Sequence, residues 1–218
     1  MIKQVSLSHG WFYHYRIHSE KAKTLCNEEY SKLNSFLLNN LNNCPDEYFK
    51  NGPRGSTLRF SIPIKKKEHS NHEISRLCSQ GLKTMNNYKT THSKVQVFML
   101  QFDKNTISVE TPIWLLSDEL NGFESIFNET KPLSGHIDIL RVEDDKKIWV
   151  WDYKPKAEFE RFAATQVYFY SLMMHLRTGI PLDNFMCGYF DENVAYTFKP
   201  EENVLLELRS QRLKEKTL

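Results

Sequence analysis

Cysteine is scarce in this chain and scattered. Cys26, Cys44, Cys78 and Cys187 are the four in 218 residues, and no two form a C-x-x-C pair. That spacing argues against a disulfide framework and predicts reduced, structural thiols in an intracellular, cytoplasmic protein. Long apolar runs are missing too. None approaches the ~20 residues of a membrane-spanning helix, so no membrane partner is expected. The opening "MIKQVSLSHGWFY" lacks the apolar stretch of a secretory signal. Nor is there an excess of one charge: 29 basic and 27 acidic residues leave a net charge of +2. So small a balance does not announce a nucleic-acid binder, although a local basic face would be enough.

Several motifs are incomplete or absent. "GPRGST" (52–57) has the look of a phosphate-binding loop but lacks the G-K-[ST] ending. His69, His72 and Glu73 do not make H-E-x-x-H, and no G-x-S-x-G occurs. There is no internal repeat and no low-complexity tract.

What is present is an ordinary globular composition, 40% hydrophobic, long enough for a sizeable core. Residues 19–41 and 70–88 predict helices. The first gathers Leu25, Leu33, Phe36, Leu37 and Leu41 near one face; the second has Ser70 or Asn71 as its N-cap. The Asn-, Pro- and Gly-rich segment 42–57 predicts a loop, and "LRFSIPIKKK" a short strand. "KVQVFMLQFD" and "NTISVETPIWLL" predict two strands joined by a turn at Asp103–Asn105. A polar excursion (117–132) leads into a second strand pair, "GHIDILRV" and "KIWVWDYK", around "EDDK". Residues 158–178 predict a strong helix, stopped by Gly179 and Pro181. Two short strands, "NFMCGYF" and "VAYTF", and a charged helix (201–216) complete the chain. The sum is an α/β domain with a mixed central sheet flanked by helices. A helical N-terminal region (1–93) would pack on a core (94–218) in one compact unit.

The stretch "WVWDYKP" (149–155) stands out. Side chains alternate faces along a strand, so Ile148, Val150, Asp152 and Lys154 share one face and Trp149, Trp151 and Tyr153 the other. With the turn centred on Asp145, Asp138 falls opposite Asp152. Opposed residues of an antiparallel pair have Cβ atoms ~4.5–5.5 Å apart, where two carboxylates repel. A divalent cation between them resolves the repulsion, since Mg²⁺ takes one or two carboxylates plus water and phosphate oxygens. Lys154 would then face a phosphate or a water. The competing reading is a solvated edge, with Asp138 unrelated.

"GHID", then thirteen residues, then "DYK", then a helix carrying "QVYFY" resembles the PD-(D/E)XK nuclease superfamily, nearest its RecB-like branch, which includes the CRISPR-adaptation exonucleases. The matching residues are Gly135 with Asp138, Asp152 with Lys154, and Gln166 with Tyr170, within about 40 residues. The resemblance implies a restriction-endonuclease-like core. It also implies a Mg²⁺- or Mn²⁺-dependent deoxyribonuclease acting on single- or double-stranded DNA. Asp138 and Asp152 would hold the metal, the Tyr153 carbonyl would be a further ligand and Lys154 would be catalytic. Two alternatives stay open: a silent nuclease-like module that binds DNA or protein, and a junction endonuclease working as a homodimer.

Gln166 and Tyr170 lie four apart, hence on one helical face, and would contact substrate or orient Lys154; a plain packing role competes. Glu110, among Ile107, Val109 and Ile113, is a further metal-ligand candidate, because an unpaired carboxylate there would be costly; an exposed edge is the alternative. Of the histidines, His92 is nearest by position to the family's upstream ligand, with His72 and His136 expected at the surface. Lys156 and Arg161 are the basic residues best placed to bind substrate; Lys65–Lys67 and the terminal "RSQRLKEK" read as solvated charge. Many members of the branch hold an iron–sulfur cluster through four cysteines. Only Cys187 follows Tyr170 here, so no cluster is expected.

Overall fold

β-branched and aromatic residues alternate along Ile148–Tyr153, and this segment (β6) is a strand in the interior of an eight-stranded sheet. The structure, a computed structural model, describes the backbone of residues 1–216 and the side chains of 1–210. Its strands are β1 (Ile2–Ser8), β2 (Phe12–His18), β3 (Lys67–His69), β4 (Thr106–Leu115), β5 (Leu133–Val142), β6, β7 (Phe185–Phe190) and β8 (Ala195–Phe198). They lie in the order β1-β2-β4-β5-β6-β7-β8-β3. Neighbours are antiparallel except β6 and β7, which are parallel. A parallel pair needs a crossover, and the helix α7 (Ala163–Thr178) supplies it. The protein is thus α/β, with a mixed sheet flanked by helices.

The helices divide between the faces. Ile148 and Val150 pack in a core with α7 and with Leu33 and Leu37 of α2 (Ser31–Asn39), which follows α1 (Ser19–Leu25). Trp149, Trp151 and Tyr153 pack in a second core with α4 (Glu73–Thr84) and α5 (Thr91–Phe102). Short helices α3 (Glu47–Lys50) and α6 (Phe123–Phe127) lie in the connections, and α8 (Asn203–Lys216) closes the described chain. No helix among the described residues is long and apolar enough to cross a membrane.

Several expected elements differ. "KVQVFMLQF" is helix, not strand: Thr90 caps α5, its hydroxyl accepting from the Ser93 amide at 3.1 Å. Residues 95–100 are buried all round, so the segment carries no one-sided pattern. No strand forms over 58–64. That segment instead runs irregularly beside α7, where Thr165 Oγ1 donates to the Phe60 carbonyl at 2.6 Å. The helix expected over 19–41 breaks at Cys26–Asn27 into α1, a 3-10 turn and α2. His72, rather than Ser70 or Asn71, caps α4. The first two strands, β1 and β2, precede every element read from the sequence, and residues 1–93 therefore add strands as well as helices. The 93/94 boundary falls inside α5.

Candidate active site

Strands β4, β5 and β6 each bring one carboxylate to the same cavity. The β5–β6 ladder runs Val142↔Ile148, Arg141↔Trp149, Leu140↔Val150 and Ile139↔Trp151. One more step would oppose Asp138 and Asp152, but the ladder stops. There Asp138 Oδ2 accepts the Tyr153 amide at 2.9 Å, in place of a backbone carbonyl. On the other side of β5, the pairs Val109↔Ile139 and Thr111↔Ile137 bracket Glu110 and Asp138. Glu110 has φ 51, a left-handed backbone rarely adopted by a residue with a side chain, costing roughly 1–2 kcal/mol. These two breaks in pairing sit at proposed metal ligands; a further register shift, between Thr106 and Ser108, does not.

The carboxylates are held by amides rather than by cations. Gln96 of α5 donates through Nε2 to Glu110 Oε1 at 2.7 Å and to Asp138 Oδ1 at 3.3 Å. Gln166 of α7 donates through Nε2 to Asp152 Oδ1 at 2.9 Å and to Tyr170 Oη at 3.3 Å. Among the described residues the close cation is Lys154, with Nζ 2.7 Å from Asp152 Oδ2, an oxygen with no other partner. His92 Nε2 stands 3.9 Å from Asp138 Oδ2, with its ring edge-on to Tyr153.

Burial in a low-dielectric site shifts the titration of Glu110 and Asp152. Burial, then the charge of Asp138, pushes Glu110 up to about 8. Burial lifts Asp152 to about 6; the Lys154 ammonium opposes this and the Asp138 charge adds to it. Burial alone would lower Lys154, but the charges of Asp152 and Asp138 outweigh it and hold it above the ordinary lysine value. The site therefore contains a fixed ammonium beside acids that resist ionising together.

The cavity, about 390 Å³, is lined by Glu110, Asp138, Asp152, Lys154, Gln166 and Tyr170, by His92, and by the start of β2. The Tyr153 ring packs against Phe190 on the opposite face, while its backbone, the part expected to supply a carbonyl ligand, runs beside Asp138. Arg161 lines an adjoining cavity, about 310 Å³, that shares Ser56, Lys154 and Gln166 with the first. Lys156 is exposed and lines neither. Tyr170 is buried, not reaching for solvent. Gly135 and Gly55 make room for its ring, and a Cβ on Gly135 would overlap Tyr170 Oη.

Two residues lining the cavity differ from the sequence reading. His136 is buried, 6% exposed, not at the surface. Arg54 belongs to a segment expected only as a loop. Its NH1 donates to the His9 carbonyl at 2.6 Å and its NH2 to His136 Nδ1 at 3.2 Å. A guanidinium can only donate, so His136 carries its proton on Nε2, which meets His9 Nδ1 at 2.9 Å. His9 Nε2 then donates to Asp46 Oδ1 at 2.9 Å. Burial lowers both histidines, consistent with two neutral rings in a row. No carboxylate among the described residues pairs with Arg54, whose charge faces the cavity. No sequence motif marks this chain, whose members come from four separate segments.

His9, Cys44 and Asp46 also group closely enough to hold a metal. The His9–Asp46 hydrogen bond occupies that group. Burial, then the charges of Asp46 and Glu47, pushes the Cys44 thiol up to about 12. Cys78 and Cys187 lie in the cores of opposite sheet faces, so the four thiols share no site. Of the basic tail "RSQRLKEK", the side chains beyond Ser210 lie outside the described residues. Comparison with protein-family models, curated proteins and solved structures yields no significant match.

Proposed function

We propose that the protein is a Mg²⁺- or Mn²⁺-dependent deoxyribonuclease with a PD-(D/E)XK core of the RecB-like kind. One observation carries the reading: Glu110, Asp138, Asp152 and Lys154 converge on one cavity, brought there by three neighbouring strands of the sheet. Three buried carboxylates facing one ammonium are costly, and hard oxygen donors in this number suit a hard divalent ion. The residues therefore fit such a metal, with Asp138, Asp152 and Glu110 as ligands and His92 at the rim. The ion would supply charge neutralisation and polarise a phosphate and a water.

The remaining chemistry belongs to the chain. Lys154 stays protonated and presents a positive charge beside Asp152, where negative charge grows on a phosphate under attack. Gln166 aims the Asp152 carboxylate, and Gln96 does the same for Glu110 and Asp138. The Tyr153 amide fixes Asp138. Tyr170 contributes through Gln166, as a wall rather than a phosphate donor. Arg161 extends the positive wall beyond Lys154.

End-labelled single- and double-stranded DNA incubated with Mn²⁺, Mg²⁺ or EDTA tests the reading. Cleavage should need the divalent ion and vanish in Asp152→Ala. Lys154→Met should lower turnover roughly 10²–10³-fold while changing DNA affinity far less. Undiminished cleavage in EDTA would sink the proposal, and binding without any cleavage would mark a silent module instead.

A further inference from the structure

The β1–β2 hairpin tip places its aromatics where a core protein would not. Trp11 is 76% and Phe12 72% exposed, yet both line the cavity that holds the carboxylates. Tyr13, next along, is anchored, stacked on His136 with centroids 3.8 Å apart and planes 9° off parallel. The Arg54 guanidinium carbon lies 5.0 Å from the Tyr13 centroid. The buried pair His9–His136, anchored on the exposed Asp46, fixes Arg54 from behind, so its charge is held in place without being neutralised. Two free aromatic faces beside a fixed, unpaired cation match one chemistry well. A nucleotide brings a flat π-face and an anionic phosphate one sugar apart, and proteins that hold single strands use these two contacts. Past Lys154 the groove continues between Arg59, Arg161 and Phe159, which is 73% exposed, so cation and aromatic recur on the far side.

We propose that Trp11, Phe12 and Arg54 form a subsite for unpaired nucleotides: Arg54 takes a phosphate neighbouring the one at the carboxylates, and the two rings stack on bases. The inference rests on the nuclease reading for the position of the strand. It names the substrate as an unpaired stretch, because bases inside a duplex have their faces covered by neighbours and cannot reach a hairpin tip without leaving the stack.

The full chain, with Ca²⁺ or EDTA to suppress cleavage, is titrated into fluorescein-labelled oligo(dT) and into a hairpin duplex of equal length. Wild type should favour oligo(dT), and Trp11→Ala with Phe12→Ala should weaken that binding roughly 10–100-fold while melting like wild type. Trp11→Phe should retain most of the affinity and Trp11→Leu should not, since leucine is apolar but has no π-face. Arg54→Gln should weaken binding equally for all sequences and lower the salt slope by about one ion. Oligo(dT) affinity indifferent to the double substitution, or a preference for the duplex, overturns the subsite. So does equal affinity in the Trp11→Leu and Trp11→Phe variants, which would mark an apolar protein-docking tip. Cleavage in Mn²⁺ is scored on the same preparations. If wild type cuts but the aromatics do not matter, the subsite falls and the nuclease stands. If wild type does not cut yet binding depends on Trp11, the nuclease falls and the subsite stands.

Discussion

The fold resists the ionisation of Glu110 more than that of Asp152. The folded pKa of Glu110, about 8, lies above the ordinary glutamate value, so the folded state holds a proton that the unfolded chain has released. The resulting stabilisation is complete below the unfolded pKa, near 4.5, and is lost as pH rises through about 8. Within that window each pH unit costs up to about 1.4 kcal/mol. In EDTA the melting temperature should therefore fall between pH 6.5 and 8, a range in which Glu143, held up to about 7, and Lys21, lowered to about 8, also titrate, so the comparison with a Glu110 variant isolates the Glu110 share. Glu110→Gln keeps the acceptor for Gln96 Nε2 and removes the titrating proton, so the mutant's fall over this range should be shallower than that of wild type. Parallel slopes for the two proteins would place the titration elsewhere. Asp138 is a worse place for the same experiment. Its two oxygens accept from Gln96 and from the Tyr153 amide, and an asparagine there must turn a donor toward one of those donors. Strand alternation makes Asp138, Asp152 and Lys154 visible in the sequence. It cannot show Arg54 or His136, whose roles come from contacts 45 and 127 residues from His9.

At the scale of elements, the helix α7 and the strand β5 are fitted to one another through Tyr170 and Gly135. The glycine of "GHID" is explained by contact: a Cβ there would overlap the phenol of a buried tyrosine. Gly135→Ala should force Tyr170 back and destabilise the fold by about 1–3 kcal/mol. It should also cut activity, because Tyr170 Oη accepts from the same Gln166 amide that holds Asp152. Shortening the tyrosine relieves the clash, so Gly135→Ala with Tyr170→Ala should lose less stability than the two single changes summed. Urea denaturation of the four proteins measures that coupling, and strict additivity would refute the contact. Element legibility does not follow exposure, since β5 and β6 are buried along their whole length. β5, β6 and α7 are readable because turn residues and a strong helix bound them. α5 is not, since Val95, Val97, Phe98, Met99 and Leu100 are buried on every side and their β-branched, alternating run imitates a strand. The hairpin β1–β2 carries a readable alternation, with Tyr15 and Ile17 buried, but its polar tip "SHGW" holds none of the dipeptides that announce a two-residue turn.

The whole molecule is one sheet with the acids in its interior strands. Residues before Thr91 supply the edge strands β1 and β3, the strand β2 that pairs with β4, and the helix α4 that covers Trp149 and Trp151. Arg141, fully buried, ties the parts together by pairing with Asp103 after α5, Glu143 after β5 and Glu73 of α4. Such a molecule should unfold as one cooperative unit. A ligand bound only by the folded state then raises the melting temperature of every probe together, by RT ln(1 + [L]/Kd). At a hundredfold excess over Kd this is about 2.7 kcal/mol, or roughly 5–10 °C for a chain of this size. Mn²⁺ added to wild type should produce that shift, in the near-ultraviolet signal of the tryptophans and in the far-ultraviolet signal of the helices alike. Asp138→Asn, lacking one ligand, should shift much less, whatever its own stability in EDTA. An equal shift in both proteins would mean that the metal binds elsewhere, and the convergence of Glu110, Asp138 and Asp152 would then need another cause.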